Sequence, residues 1–282
     1  MSKDPASTLP RDVASAVRLA LVEDVGDGDV TAALMAADAT ITASVLCRES
    51  AVLCGVSWFD EVFRQLHRDI TVRWQFGDGD DVQANSIVCT VTGPAAPVLT
   101  GERTALNFLQ LLSGTATTAR SYARAMDGSD TRILDTRKTL PGLRQAQKYA
   151  VRCGGCHNHR IGLFDAVLIK ENHIANTSSI TEIVTAARRD NPDLTIEVEV
   201  TTLAELDEAL SAGADVVMLD NFDRGAIGDA VTRSRGRAKL EISGNVTVED
   251  LADLASTGVD YISVGALTKN VRAIDFSMRF GA

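Results

Sequence analysis

The chain has 282 residues, a formal net charge of −10 at pH 7 and a pI near 4.9. This acidity argues against binding to nucleic acid or to an anionic membrane, and the length allows one barrel or two domains. No run approaches the roughly 18 apolar residues of a membrane span, and the N-terminal residues do not resemble a signal peptide. Together with five scattered cysteines, these features predict a cytoplasmic protein.

The first part of the chain mixes helical and strand-like patterns. Residues 11–24 carry apolar side chains at helical spacing, and residues 58–66 (WFDEVFRQL) predict a second helix. Short alternating runs between residues 41 and 91 predict strands. Residues 102–112 and 115–126 then predict two further helical stretches. We therefore expect a small mixed α/β domain at the start of the chain.

From residue 131 onward the pattern becomes periodic, because short apolar runs alternate with helical segments. Such alternation predicts βαβ units, a parallel sheet and right-handed crossovers. Six runs are present, fewer than the eight of a complete β/α barrel, so we expect a barrel that is incomplete. The runs are RILDTRK, DAVLIKEN, LTIEVEV, DVVMLDN, KLEISGN and YISVGAL.

Polar residues follow each of these predicted strands. In β/α barrels the functional site forms at the carboxyl ends of the strands, so these residues are the site candidates. Strand alternation also places Glu197 and Glu199 on one shared face. The strand-end residues are Asp135, Arg137, Lys138, Lys170, Glu199, Asp220, Ser243, Gly244 and Gly265.

Positive charge is concentrated in one segment of this acidic chain. Between Arg132 and His173 eight Lys or Arg residues stand against three acids, a local charge of +5, which leaves −15 for the remainder. A cationic cluster of this size indicates a small, strongly anionic ligand bound in a recess. Arginines such as Arg137 and Arg160 suit this purpose because a guanidinium binds carboxylates and phosphates bidentately.

Several residues allow more than one interpretation. Lys170, at the end of an apolar run, can be a Schiff-base nucleophile, a cation for an anionic ligand, or a buried partner of Glu197 or Glu199. Glu199 and Asp220 can bind Mg2+ or a ribose hydroxyl, or form salt bridges with nearby cations. Arg103 has the sequence context of an ordinary residue on a solvated helix face.

The last two predicted strands end in residues that suit phosphate binding. Ser243-Gly244-Asn245 and Gly265 follow these strands, where barrels often bind phosphate through backbone N–H groups. Two glycines at turns are by themselves weak support for a phosphate site. Their positions directly after the last two consecutive strands make that support stronger.

One cysteine pattern suggests a different kind of protein. Cys153, Cys156 and His157 match the C-x-x-C-H pattern of covalent haem attachment and supply half of a zinc site. Haem attachment requires export, and zinc requires further ligands that no second cysteine pair supplies. A glycine-rich turn with two buried thiols is the favoured interpretation.

Several segments taken together resemble one family, the quinolinate phosphoribosyltransferases, also called carboxylating nicotinate-nucleotide pyrophosphorylases. They occur in the family's order from about residue 23 to residue 280, and the succession DTRKT, NHR and KENH is highly specific. One departure is Cys156-His157, in a turn that is usually glycine-rich in the family. The segments are ERTALNFLQLLSGTAT, DTRKTLPGLR, NHR, IKENH, EVEV, MLDN, SGN and SVGALT.

The resemblance implies an architecture and a reaction. Residues 1–112 would form an N-terminal α/β sandwich domain, on which the C-terminal tail could pack back, and residues 113–282 an open α/β barrel that carries the active site. The protein would be a homodimer, with larger assemblies left open. It would convert quinolinate and phosphoribosyl pyrophosphate to nicotinate mononucleotide, pyrophosphate and CO2, with Mg2+, in de novo NAD biosynthesis.

The resemblance also implies a role for each motif residue, with Lys138, Lys170, Glu199 and Asp220 as the catalytic group. The residues implied to hold the two quinolinate carboxylates are Arg137, His159, Arg160 and Lys170, with Arg103 reaching in from the partner subunit. Those implied to bind pyrophosphate, ribose, metal and 5-phosphate are Lys138, Glu199, Asp220, Ser243, Gly244, Asn245 and Gly265. Glu199 and Asp220 would be the metal ligands.

Two alternatives to this activity remain at the level of sequence. A family relative associated with molybdenum uptake, acting on another substrate, shares much of the pattern, and a Schiff-base lyase would use Lys170. The family interpretation also makes a geometric demand, because His159 and Arg160 precede the strand that Lys170 ends, and a six-residue strand spans roughly 20 Å. The NHR loop must therefore fold back toward Lys170.

Overall fold

The structure is a computed structural model that describes residues 9–36, 38–174, 179–244 and 246–280. None of the helices in these ranges combines the length and apolar character that crossing a membrane requires. Two compact units are present, and the division of the chain at residue 112 stays a prediction. The first unit comprises Met1–Arg120, Thr139–Gly155 and Leu267–Ala282, and the second comprises Ser121–Lys138 and Cys156–Ala266.

The helices and strands follow the predicted order closely. The elements up to residue 125 are α1 (Val13–Val25), a 3-10 turn (Ala32–Leu34), β1 (Thr40–Cys47), β2 (Ala51–Val52), α2 (Val56–Leu66), β3 (Thr71–Trp74), β4 (Asp81–Val82), β5 (Ser86–Pro94) and α3 (Ala95–Ala125). The later elements are β6 (Arg132–Leu134), α4 (Arg144–Cys153), β7 (Val167–Ile169), α5 (Glu171–Ile174), α6 (Ile180–Asp190), β8 (Ile196–Val200), α7 (Leu203–Ala212), β9 (Val216–Asp220), α8 (Arg224–Ser234), β10 (Lys239–Ser243), α9 (Leu251–Ala255), β11 (Tyr261–Ser263), α10 (Ala266–Lys269) and β12 (Phe276–Phe280).

The first unit is built on a four-stranded antiparallel sheet in the order β12-β1-β5-β3. Ala43, Val45 and Cys47 of β1 are buried at alternate positions, as the two-residue period of a strand requires. Helix α2 contributes Trp58 and Phe59 to the same apolar core. The C-terminal strand β12 pairs with β1, so the end of the chain completes a sheet begun near its start.

The third helix differs from the sequence-based expectation, because α3 runs through Gly114 as one continuous helix of 31 residues. The prediction of two stretches was wrong at this point. A β-carbon on Gly114 would lie 2.1 Å from the carbonyl oxygen of Arg272. The glycine therefore permits close backbone packing, and the helix continues because its flanking residues bury apolar side chains.

The second unit contains a six-stranded parallel sheet in the order β6-β11-β10-β9-β8-β7. The edge strands β6 and β7 are not paired with each other among the described residues, so the predicted open, six-stranded β/α barrel is confirmed. The central strands are buried along most of their length, as strands covered on both faces must be, and the buried residues include Glu197 of β8 and Glu241 of β10. Gly213 and Gly258 adopt positive φ in the turns that lead from helix to strand.

Side-chain caps mark where several helices of this unit begin. The Thr202 hydroxyl accepts from the Glu205 amide while the Glu205 carboxylate accepts from the Thr202 amide, a capping box at the start of α7. Asp223 caps α8 and Ser179 caps α6 in similar ways. These caps define the short turns at which each strand ends and its helix starts, and so fix the positions of the strand-end residues.

Candidate active site

A cavity of 190 Å³ lies at the carboxyl ends of the parallel strands in the second unit. Its position matches the place where β/α barrels build their sites. Its lining combines cationic side chains, hydroxyls and one carboxyl group, that of Glu241. The lining residues are Thr136, Arg137, Lys138, His159, Arg160, Leu168, Lys170, Met218, Glu241, Ser243 and Ser263.

A larger recess of 630 Å³ lies at the opposite, amino ends of β9 and β10. Charged groups there are satisfied by one another, since Lys239 Nζ lies 2.6 Å from Asp260 Oδ1. Asp215 Oδ2 likewise lies 2.6 Å from Arg188 Nη2. The smaller cavity is the candidate site because it lies at the carboxyl ends of the strands and because Arg137, one of its cations, has a buried Nε without a hydrogen-bond partner among the described residues.

The NHR loop is tied to the end of β6. His157 forms an isolated parallel bridge with Leu134, which places the loop beside that strand. The buried carboxylate of Asp135 then accepts from the Asn158 side-chain amide at 2.6 Å and from the His159 backbone amide at 2.9 Å. The loop thus lies across the carboxyl ends of the strands, and His159 and Arg160 line the same cavity as Lys170.

Two guanidinium groups meet in this cavity. The Nε of Arg137 is buried and has no hydrogen-bond partner among the described residues. Burial lowers the pKa of Arg160, and the positive charge of Arg137 adds to that effect, while Glu197 and Asp165 oppose it. Arg160 donates from Nη1 to the Ala166 carbonyl at 3.2 Å, which orients its side chain. Two adjacent guanidiniums with spare donors favour a ligand that carries carboxylate or phosphate groups.

His159 stands between two carboxylates at the base of the cavity. Its Nε2 lies 2.9 Å from Glu197 Oε2 and 3.6 Å from Glu241 Oε2. Its Nδ1 accepts from the Arg160 amide at 2.7 Å, so Nε2 carries the ring proton in this arrangement. Burial raises the pKa of Glu241 to about 8, the charge of Glu197 adds to the rise, and His159 and the nearby Ser263 hydroxyl oppose it. Two buried carboxylates this close hold a proton between them.

Lys170 follows β7 and pairs with Glu199. Its ammonium donates to Glu199 Oε2 across the ends of β7 and β8. Its backbone amide donates to His173 Nδ1 at 2.9 Å, so the histidine of the KENH segment fixes the turn. The ion pair keeps a cation at the cavity entrance beside a carboxylate, which suits ligand binding and metal binding in one place.

Lys138 lies against a glycine at the end of β11. A β-carbon on Gly265 would lie 3.0 Å from Lys138 Cδ and 3.6 Å from Thr136 Oγ1. Thr136 Oγ1 in turn accepts from the Lys138 amide at 3.1 Å. Because Gly265 has no side chain, the Lys138 side chain can pack against it. A larger residue at position 265 would displace the Lys138 side chain.

The remaining strand ends are polar. Asp220 ends β9, and the Asn221 side-chain amide lies 3.2 Å from its Oδ2. Ser243 ends β10 and lines the cavity, and no atom lies within 4 Å of a β-carbon placed on Gly244. Asn245 lies outside the described residues. Asp220, Gly244 and Gly265 do not line the cavity themselves.

Arg103 belongs to the other unit. It lies on α3, where its side chain is exposed. The residues that line the cavity all come from the second unit, and Arg103 is not among them.

The cysteine pattern does not form a metal site in the described part of the chain. Cys153 and Cys156 are both buried free thiols. Burial raises the pKa of Cys156 to about 12, an effect that the negative charge of Asp135 increases. Burial lowers the pKa of His157, as does the charge of Arg132. The one cluster of possible metal ligands found among the described residues is instead His159, Glu197 and Glu241.

Sequence reasoning did not assign a role to Glu241 or Ser263. Both are buried, and both have a side-chain oxygen without a hydrogen-bond partner among the described residues. A signal for Glu241 was present, because a carboxylate inside the apolar run KLEIS is unusual and shares a strand face with Ser243. Ser263 carried no comparable signal.

Fold and site together define a class of α/β enzymes in which an open parallel barrel carries a cation-lined cavity at the carboxyl ends of its strands. Two family models match the chain: the N-terminal domain of quinolinate phosphoribosyl transferase over residues 29–113 and its C-terminal domain over residues 115–279. The chain belongs to the quinolinate phosphoribosyl transferase family.

Individual relatives agree with this assignment. The chain is 42% identical over 271 residues to the nicotinate-nucleotide pyrophosphorylase [carboxylating] of Mycobacterium leprae, covering 93% of this chain and 95% of the relative. It is 40% identical over 258 residues to the probable enzyme of that name from Bacillus subtilis, covering 91% and 89%. The nicotinate-nucleotide pyrophosphorylase structure from Francisella tularensis superimposes with a TM-score of 0.94 at 47% identity, over 99% of this chain and 100% of that one.

Proposed function

We propose that this chain is a phosphoribosyltransferase that converts quinolinate and phosphoribosyl pyrophosphate to nicotinate mononucleotide, pyrophosphate and CO2, in the de novo synthesis of NAD. Its relatives carry the name of this activity. The observation that carries the proposal is the pair of guanidiniums, Arg137 and Arg160, which line one cavity with spare donors. A planar dicarboxylate is a suitable ligand for such a pair.

We assign quinolinate binding to the cationic side chains that line the cavity. Arg137, Arg160 and Lys170 would hold the two carboxylates, because a dianion loses strong hydration when it enters a recess and fixed cations must replace it. His159 would contribute through its ring position, since both ring nitrogens already have partners. Its role is therefore to shape the base of the cavity and to carry the loop that holds Arg160.

The chemistry that follows needs alignment and charge stabilisation. Departure of pyrophosphate leaves an oxocarbenium-like ribose, and the site must hold the ring nitrogen in line with the ribose C1. Lys138, placed against Gly265, would stabilise the departing pyrophosphate, and Ser243, Gly244, Asn245 and Gly265 would bind the 5-phosphate. The positive charge of the new pyridinium nitrogen then stabilises the electron pair that stays on C2 when the carboxylate leaves as CO2.

Glu199 and Asp220 are the proposed Mg2+ ligands. Asp220 ends β9, Glu199 is the last residue but one of the neighbouring strand β8, and the pairing of Glu199 with Met218 places both carboxylates on one face. Both offer the oxygen atoms that Mg2+ prefers. The His159, Glu197 and Glu241 cluster suits Mg2+ less well, because it is buried and includes an imidazole hydrogen-bonded to Glu197. When bound, Mg2+ would supply positive charge to the pyrophosphate oxygens.

We further propose that the chain acts as a homodimer in the cytoplasm. In this proposal Arg103, which is exposed on α3, contributes to the quinolinate site of a partner subunit. All five cysteines are free and buried, which suits a reducing compartment.

Two other functions compete with this proposal. A family relative with another substrate would share the fold, so only the substrate that the enzyme accepts distinguishes this function from the proposed one. A Schiff-base lyase would use Lys170, whose amine is paired with Glu199 and surrounded by more cations than such a reaction needs.

The test is an assay of the purified protein with quinolinate, phosphoribosyl pyrophosphate and Mg2+. We expect nicotinate mononucleotide, pyrophosphate and CO2 in equal amounts. Nicotinate in place of quinolinate is the matched control, because it lacks the carboxylate at C2 and should give little product. Absence of product at any substrate concentration would exclude the proposed activity, and a covalent adduct trapped by borohydride would favour the lyase.

A further inference from the structure

The proposed reaction consumes a proton, and the cavity must contain a group that supplies it. This inference rests on the proposed function. When the bond between C2 and its carboxylate breaks, CO2 leaves and the electron pair stays on C2. Nicotinate mononucleotide carries hydrogen at that carbon, so a proton must be delivered there. The site therefore needs an acid within reach of the ring.

Most groups that line the cavity are poorly suited to donate this proton. Arg137 and Arg160 do not lose protons in proteins. Lys138 and Lys170 must stay charged to hold phosphate and carboxylate groups. His159 directs its Nε2 proton to Glu197 at 2.9 Å and uses Nδ1 to accept from the Arg160 amide at 2.7 Å.

Glu241 is the carboxyl group among the described residues that line the cavity. It is 1% exposed, its Oε1 has no hydrogen-bond partner among the described residues, and its Oε2 lies 3.6 Å from His159 Nε2. Glu197 already accepts from the same imidazole, so the single ring proton cannot neutralise both carboxylates. One of the pair keeps a proton, and the unpartnered oxygen of Glu241 provides a place for it.

We propose that Glu241 donates the proton that replaces the carboxylate lost from C2 of the quinolinate ring. In this step the Oε–H bond of Glu241 breaks and the C2–H bond forms with the electron pair left by CO2. The Glu241 carboxylate recovers a proton from water after the product has left, with His159 beside it.

The charge balance of the cavity favours this step. Before decarboxylation the cations face two substrate carboxylates, and afterwards they face one. A carboxylate on Glu241 restores the missing negative charge beside Arg137 and Arg160 and beside the new pyridinium. The buried cations are thus not left unpaired at the moment CO2 departs, which would be unfavourable in a desolvated site.

The experiment is a single-turnover measurement that follows pyrophosphate and CO2 separately. Glu241→Gln removes the acid and keeps the shape of the side chain. We expect pyrophosphate release close to the wild-type rate, which also shows that the variant is folded, and CO2 release slowed about 100-fold. A mononucleotide that still carries both carboxylates should accumulate and be visible by mass, and Glu241→Asp should restore part of the CO2 release.

Glu182→Gln is the matched control, since it makes the same substitution at an exposed position on α6 that does not line the cavity. It should keep CO2 and pyrophosphate release equal. If Glu241→Gln releases the two products in equal amounts, whether at the normal rate or more slowly, Glu241 is not the proton donor. If the wild-type protein releases no pyrophosphate, the proposed function itself fails.

Discussion

At the scale of single residues, the cavity is defined by buried charges whose partners are set by a few hydrogen bonds. Arg137 has a buried Nε without a partner among the described residues, while Asp135 is fully buried and holds the start of the NHR loop. Glu241 and Glu197 share the imidazole of His159. Each of these arrangements has a separate measurable consequence.

Arg137→Ala should weaken quinolinate binding by about 10- to 100-fold, because hydrogen bonds to charged groups contribute roughly 1.5–3 kcal/mol. Arg137→Lys should be intermediate, since lysine keeps the charge and loses the bidentate geometry. Binding can be measured by calorimetric titration. Arg235→Ala is the control, because it removes one positive charge at the opposite end of the sheet. Equal losses in the two variants would show a general effect of charge.

Asp135→Asn should destabilise the fold by about 1–3 kcal/mol. Asparagine has one side-chain oxygen that can accept a hydrogen bond, so its NH2 group would face one of the two donors, the Asn158 side-chain amide or the His159 backbone amide. Urea unfolding measures the loss. The exposed residue Asp193 provides the control, since Asp193→Asn should change stability by less than about 0.5 kcal/mol. An unchanged midpoint for Asp135→Asn would mean that the loop does not depend on this carboxylate.

Glu241 should make stability depend on pH in a defined direction. Its pKa in the folded state is about 8, above the ordinary value of 4.5, so the folded protein binds more protons between these values. Its contribution is therefore complete below pH 4.5 and is lost as pH rises toward 8, with a slope of at most about 1.4 kcal/mol per pH unit. Comparing urea unfolding of wild type and Glu241→Gln across this range measures it. A constant difference would contradict the shift.

At the scale of elements, close packing at glycines decides where helices and strands meet. Gly114 allows α3 to run past the backbone of Arg272, and Gly265 at the end of β11 gives Lys138 its place. The predicted break of α3 failed for this reason, since a glycine in a helix signals either an end or a close contact.

Gly114→Ala should destabilise the protein by about 1–3 kcal/mol, because its β-carbon would lie 2.1 Å from the Arg272 carbonyl oxygen. Gly228→Ala in α8 is the matched control. No atom lies within 4 Å of its β-carbon, so alanine should stabilise the helix by up to about 1 kcal/mol. Urea unfolding midpoints should therefore shift in opposite directions. Shifts of the same sign would contradict the packing argument.

At the scale of the whole molecule, the described chain forms two compact units, one containing the antiparallel sheet and one containing the open parallel sheet. The cavity is built within the second unit. Arg103 lies in the first, and the proposed dimer assigns it to the quinolinate site of a partner subunit. That assignment can be tested by mixing subunits.

Arg103→Ala and Arg137→Ala should each lose activity alone, because each removes a guanidinium from the proposed quinolinate site. If the two residues act in the same site from different subunits, mixed dimers regain one intact site of two. Random exchange of equal amounts should then restore about a quarter of wild-type activity. The assay follows nicotinate mononucleotide after subunit exchange, and mixing wild type with Arg137→Ala is the control. No recovery despite exchange would show that each site is complete within one chain.

The sequence by itself determined the parallel, open barrel and the strand ends that carry polar residues. Periodic apolar runs impose βαβ units, and alternation then assigns each residue to a face, so Arg137, Lys170 and Glu199 could be named in advance. The succession of motifs identified the family. These features depend on local spacing, which is written directly in the order of residues.

Only the tertiary structure decided which of these residues meet and what charge they hold. The loop that brings His159 to Lys170 depends on a bridge between Leu134 and His157, and the raised pKa of Glu241 depends on its own burial and on the charge of Glu197 beside it. Both arise from contacts between residues far apart in the chain. Local spacing contains no information on distance or desolvation across strands, and those two quantities set the chemistry of the cavity.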